Sequence, residues 1–185
     1  MNLPNALTLS RIFFAGVIIF LLEKNTPSGN VWAAIVFAMA AITDFYDGHL
    51  AKTRGLISDF GKIMDPIADK VLILSTFGVL AHLGMVIWWM FIVIAIREIA
   101  VTVSRIVAMR HGQVLAAERA GKIKTVSQIV AISSILLYLV AQHSEFCAYW
   151  FYPVQRTWLV TNYTLTTLAT ILTLYSGFDY FRRKK

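Results

Sequence analysis

Six apolar runs punctuate the chain: Ile12–Leu22, Val31–Ile42, Val71–Leu83, Met85–Ile96, Ile129–Ala141 and Leu159–Tyr175. None alternates with period two, so the pattern is not that of a closed β-barrel. A helical membrane span takes about 20 residues, and each run reaches that length by extending into its polar flanks. The pattern predicts an all-α integral membrane protein with six transmembrane helices in one bundle. No Gly/Ser linker, repeat or low-complexity stretch divides it, so residues 1–185 are expected to form a single membrane domain.

Composition agrees. The 185 residues are 58% hydrophobic, against about 45–50% in soluble domains. The first run follows Arg11 as a signal peptide would follow its basic region, but Glu23-Lys24-Asn25-Thr26-Pro27 offers no small-residue cleavage site. The single cysteine, Cys147, excludes an internal disulfide and a cysteine metal cage, and reads as a small apolar packing residue.

The net charge of +7 is informative through its placement. With six helices both termini share one side. That side holds Arg11, Lys52, Arg54, Lys62, Arg105, Arg110, Arg119, Lys122, Lys124 and the tail Arg182-Arg183-Lys184-Lys185. The opposite loops hold Lys24 and Arg156. The asymmetry predicts cytoplasmic termini. The tail reads as a topology anchor near anionic lipid headgroups, not as a nucleic-acid-binding segment.

Against this apolar background stand four aspartates, in Asp44-Phe45-Tyr46-Asp47-Gly48-His49-Leu50-Ala51-Lys52 and Gly61-Lys62-Ile63-Met64-Asp65-Pro66-Ile67-Ala68-Asp69. Uncompensated carboxylates at a bilayer edge are costly. Clustered hard oxygens are commonly compensated by divalent cations, two in a set of this size. Asp44 and Asp47 are spaced i, i+3, and Asp65 and Asp69 i, i+4, so each pair shares a helix face. Asp65-Pro66 reads as a helix start. The short connection from Lys52 to Phe60 predicts that the second and third helices are antiparallel neighbours, so that all four carboxylates converge on one cytoplasmic cavity. Gly48, mid-helix, costs about 1 kcal/mol relative to alanine. It fits either close approach of a ligand or close helix packing. Carboxylates around divalent ions suit a diphosphate ligand, and one at the edge of the cluster can take the proton of an attacking hydroxyl. His49, His82, His111 and His143 are scattered, and no Ser-His or Cys-His pairing suggests a covalent nucleophile.

The arrangement D-x2-D-G-x2-A-K-x8-G-x3-D-x3-D resembles the signature of the CDP-alcohol phosphatidyltransferases. Every spacing matches, and one position departs: Lys52 stands where the family usually has arginine. The opening Met1-Asn2-Leu3-Pro4-Asn5-Ala6-Leu7-Thr8-Leu9-Ser10-Arg11, the segment Arg97–Arg105 and the segment Gly121–Gln128 are similar to those of bacterial members that act on glycerol 3-phosphate. The likeness covers residues 1 to about 135; the last two helices read as generic apolar sequence.

The resemblance implies a transferase that moves the phosphatidyl group of CDP-diacylglycerol to sn-glycerol 3-phosphate, releasing CMP. It implies Mg2+ or Mn2+, two ions per site, held by Asp44, Asp47, Asp65 and Asp69, with Asp69 also the general base. Thr8, Gly48, Ala51, Lys52, Ser58 and Gly61 are then expected to bind CDP-diacylglycerol. Arg97, Arg105, Lys122 and Lys124 are expected to bind the acceptor phosphate. The positive-inside rule alone accounts for Arg110 and Arg119, but poorly for Arg97, which follows an apolar run and precedes Glu98. The resemblance further implies a homodimer among membrane lipids in the bacterial cytoplasmic membrane, multi-pass, with its site facing the cytoplasm. Phosphatidylglycerol, serine or inositol phosphate is the alternative acceptor within the family. A divalent-cation transporter is the alternative outside it, but it needs acidic groups spread through the bilayer depth, whereas these four sit at one edge.

Overall fold

The computed structural model describes residues 3–54, 59–110, 119–144 and 148–183, with side chains described over 9–43, 67–108, 121–144 and 151–182. Six helices account for them: α1 (Leu3–Glu23), α2 (Pro27–Arg54), α3 (Asp59–His82), α4 (Trp88–Arg110), α5 (Arg119–Gln142) and α6 (Ala148–Arg183). No strand occurs among the described residues. The six apolar runs thus become six helices, each lengthened by polar residues at one end or both.

Two expectations about the aspartate region are corrected. First, α3 begins at Asp59, so Pro66 lies inside the helix and not at its first position. Asp59 is itself a residue type suited to a helix start, and it comes earlier in the chain. Second, among the described residues α2 packs mainly against α1 and α5, while α3 packs mainly against α1 and α4. A short loop fixes a chain reversal but not the contact along the helices. The apolar faces of α1 fill the space between α2 and α3.

The packing closes a ring in the order α1, α2, α5, α6, α4, α3, with α3 also touching α5 across the middle. Helices consecutive in sequence alternate in direction, so the ring neighbours α1 and α3 run parallel, as do α4 and α6; two contacts agree. Arg11, early in α1, meets Asp69 in the first half of α3. Asn30, at the start of α2, meets His143 just beyond the end of α5, at 3.2 Å. The starts of α1, α3 and α5 therefore share one end of the bundle. Between α3 and α4 the chain turns at Gly84, whose φ of 73° is the left-handed conformation glycine tolerates. The amides of Gly84 and Met85 donate to the carbonyls of Ala81 and Leu80, closing the helix end.

The core holds Ile18 and Leu22 of α1, Phe37 of α2, Phe77 and Leu80 of α3, Ile94 of α4, and Ile132, Ile135 and Leu136 of α5. Tyr138, Phe151 and Trp158 stack around the far end of α5 and α6. The outside is also apolar: Phe13, Trp32, Trp89, Ile92, Ile96, Ile99, Val103, Leu168, Ile171 and Phe178 are all exposed. Among the described residues one helical segment, Gly121–Gln142, is long and apolar enough to cross a membrane unaided; Pro27–Thr43 is a shorter apolar helix. Charged residues such as Asp69, Lys70, Arg97 and Glu98 interrupt the others.

Candidate functional site

Helix α6 shows how the interior is built. Its buried positions Asn162, Thr166, Thr170, Thr173 and Ser176 recur every three or four residues, so one face of the helix is polar and points inward. Thr166, Thr170 and Thr173 donate to carbonyls one turn back, at 2.8, 2.8 and 2.6 Å. Satisfied in this way, the hydroxyls can be buried. A helix with its polar face buried and an apolar outer surface differs from a water-soluble bundle, which turns its polar residues outward.

Glu98 of α4 lies at the hub of this interior. Its side chain is fully buried, and three cations converge on it. Lys70 of α3 reaches Oε2 at 2.9 Å, and Arg97 reaches Oε1 at 3.2 Å. Lys124 of α5 donates to Oε1, as does Gln128 Nε2 at 3.3 Å. Gln128 also donates to Thr173 Oγ1 at 3.1 Å. Arg97 uses its second terminal nitrogen on Ser176 Oγ at 2.7 Å. Three helices, α3, α4 and α5, therefore meet at one carboxylate, and α6 reaches it through Gln128 and Arg97.

Within this group positive charge exceeds negative. Charges removed from water are stable only when paired and hydrogen-bonded, and a buried surplus of cations is suited to an anion. Arg105, about two turns further along α4, adds another: its guanidinium lies 5.7 Å from the ring centre of Tyr180. Arg105 Nε is buried with no hydrogen-bond partner among the described residues. A donor in that state suits an acceptor oxygen from a ligand.

The other half of the site joins at α3. Asp69 and Lys70 are consecutive, and their side chains turn to different neighbours. Asp69 meets Arg11 of α1 at 2.6 Å, while Lys70 meets Glu98. Asp69 keeps 38% of its side-chain surface exposed, and Arg11 keeps 7%. A partly exposed carboxylate, paired with Arg11, thus stands one residue from the buried cation cluster.

The expected residues separate accordingly. Arg97 and Lys124 are brought together on Glu98, and Arg105 lies beyond them on α4. Lys122 is exposed and takes no part in the cluster described here. The backbone carries Asp44, Asp47, Gly48, Ala51 and Lys52 on α2, and Gly61 and Asp65 on α3. Their side chains, and that of Thr8 on α1, lie outside the described residues. Ser58 and Cys147 lie outside them altogether. Of the four candidate metal ligands, Asp69 alone has a described side chain, and its carboxylate chemistry and exposure fit a hard cation.

Sequence reasoning missed Lys70, Gln128, Thr173 and Ser176 as site residues. Lys70 had one signal, its position beside Asp69. The α6 residues had another, the three- and four-residue recurrence of small polar side chains in an apolar segment.

Comparison with known proteins gives a consistent picture. The family model described as CDP-alcohol phosphatidyltransferase matches residues 1–176. The chain is 34% identical to the CDP-diacylglycerol–glycerol-3-phosphate 3-phosphatidyltransferase of Bacillus subtilis, over 98% of this chain and 94% of that protein. It is 36% identical to a probable phosphatidylglycerophosphate synthase of Mycobacterium tuberculosis, over 98% and 81%. It is 30% identical to the CDP-diacylglycerol–glycerol-3-phosphate 3-phosphatidyltransferase of Rickettsia typhi, over 100% and 97%.

Proposed function

The chain belongs to the CDP-alcohol phosphatidyltransferase family, and from that premise we propose how its site works. The protein is a transferase of phospholipid biosynthesis. It moves the phosphatidyl group of CDP-diacylglycerol to sn-glycerol 3-phosphate, as the names of its relatives describe.

The observation that carries the mechanism is the adjacency of Asp69 to the Lys70–Glu98 cluster. Glycerol 3-phosphate has an anionic end and a hydroxyl end. In this reading Lys124, Arg97 and Arg105 hold the phosphate, and the 1-hydroxyl reaches Asp69. Asp69 takes the hydroxyl proton as the oxygen attacks the β-phosphorus of the donor. The phosphorus–oxygen bond to CMP breaks, CMP leaves with the electron pair, and phosphatidylglycerophosphate remains. Holding both substrates together makes the attack effectively intramolecular. Arg11 orients the Asp69 carboxylate. Mg2+ or Mn2+ on Asp44, Asp47, Asp65 and Asp69 would neutralise the diphosphate and polarise the phosphorus. Gly48, Ala51, Lys52, Ser58, Gly61 and Thr8 serve the donor in the same reading.

The inverted distribution of side chains supports a bilayer setting: Glu98, Gln128 and Thr173 are inside, and Trp89, Ile92 and Ile171 are outside. We place all six helices across the cytoplasmic membrane, both termini and the Asp69 end of the bundle facing the cytoplasm. A homodimer completes the reading and rests on the family resemblance.

The decisive experiment supplies purified protein with CDP-diacylglycerol, Mg2+ and separate acceptors, and measures CMP release. Release with glycerol 3-phosphate is expected. Release only with serine, inositol phosphate or phosphatidylglycerol would move the acceptor assignment elsewhere in the family. Reporter fusions are expected to place residues 53–64 in the cytoplasm; a periplasmic signal there would overturn the orientation.

A further inference from the structure

We propose that Ser176 and Gly177 of α6 are positioning residues for Arg97, and so set the affinity for the acceptor's phosphate. The proposal rests on the acceptor reading above and assigns part of that site to α6.

Three described contacts hold Arg97. Nη1 reaches Glu98 Oε1 at 3.2 Å, and Nη2 reaches Ser176 Oγ at 2.7 Å. Its stem crosses Gly177. A Cβ there would stand 3.0 Å from Arg97 Cγ and 3.3 Å from Nε. The missing side chain at Gly177 is therefore the space Arg97 occupies. Ser176 is 1% exposed, so its hydroxyl is built into the interior. The neighbouring turns of α6 serve the same group. Thr173 fixes Gln128, which fixes Glu98. Tyr180 lies under Arg105 and donates to Ser104 Oγ at 3.4 Å. An arginine pinned in this way has its guanidinium plane fixed, which matters for a planar, forked group meeting phosphate.

Small polar residues also hold membrane helices together without any role in a site. Two variants separate the readings. Ser176→Ala removes the hydroxyl and should raise the KM for glycerol 3-phosphate about 3- to 10-fold, the usual net effect of losing one hydrogen bond. Gly177→Ala pushes the arginine stem by a few tenths of an ångström and should raise the same KM. Alanine is the better helix former, so the thermal midpoint of Gly177→Ala should equal or exceed the wild-type value. In both variants the KM for CDP-diacylglycerol should stay within about twofold of wild type, because the donor's expected residues fall between Thr8 and Gly61, far from α6 in sequence. Ser176→Thr, which keeps a hydroxyl, should recover most of the affinity. A wild-type acceptor KM in Gly177→Ala, or an equal rise in both KM values, would overturn the proposal. Wild-type turnover of glycerol 3-phosphate is the control. It upholds the acceptor assignment whatever the variants do, and its absence removes both.

Discussion

Arg11 donates through Nη1 to Oδ1 of Asp69 across 2.6 Å, joining α1 to α3 through residues 58 apart in sequence. Arg11 is buried, and Asp69 is partly exposed. The buried partner holds the exposed one in place, which is the arrangement a proton acceptor needs. Arg11→Ala removes the buried charge and leaves a partly exposed carboxylate, so the consequence is sought in turnover. Arg11→Ala is expected to lower kcat about 10- to 100-fold, the effect of misplacing a catalytic group by about 1 Å. The KM for glycerol 3-phosphate should change much less. Steady-state kinetics decide it, and an unaltered kcat would detach Arg11 from the base.

Asp69→Asn keeps the size and one oxygen ligand but removes the proton acceptor. Turnover should fall at least about 100-fold, the lower range for a positioned base. CMP release with saturating substrates measures this. A near-normal rate would move the base to another carboxylate, Asp47 first.

If the four aspartates hold divalent ions, excess chelator should abolish CMP release, and Mg2+ or Mn2+ should restore it. Undiminished release in excess chelator would remove the metal from the mechanism.

Lys122 and Lys124 looked equivalent along the chain, and the fold distinguishes them. Lys124 is buried on Glu98, whereas Lys122 is exposed. A charge-assisted phosphate contact contributes about 1.5–3 kcal/mol. Lys124→Ala should therefore raise the KM for glycerol 3-phosphate about 10- to 150-fold. Lys122→Ala should raise it less than about threefold. Equal effects would mean that the cluster does not define the acceptor site.

Glu98→Gln leaves Lys70, Arg97 and Lys124 without the carboxylate they share. Breaking a buried ion pair from one side costs about 3–5 kcal/mol. The variant should unfold at lower temperature in detergent, and excess inorganic phosphate should recover part of the loss by supplying an anion. A wild-type melting temperature would show that the cations do not depend on Glu98.

The sequence by itself determined the number and type of elements, because apolar runs long enough for helices can be read without knowing what they touch. It also determined the aspartate signature, because i, i+3 and i, i+4 spacings place Asp44 with Asp47 and Asp65 with Asp69 on any helix. Family membership followed from that spacing. The start of α3 and the partners of α2 were misread, since a local Asp-Pro signal and a short loop say nothing of how α1 packs. The site's other half was decided only by tertiary structure. Arg11 meets Asp69, and Lys70 meets Glu98, because the ring order sets α1 and α4 on two sides of α3. Helical periodicity makes Ser176 and Gly177 neighbours on α6, but only the packing of α6 against α4 lays Arg97 across them.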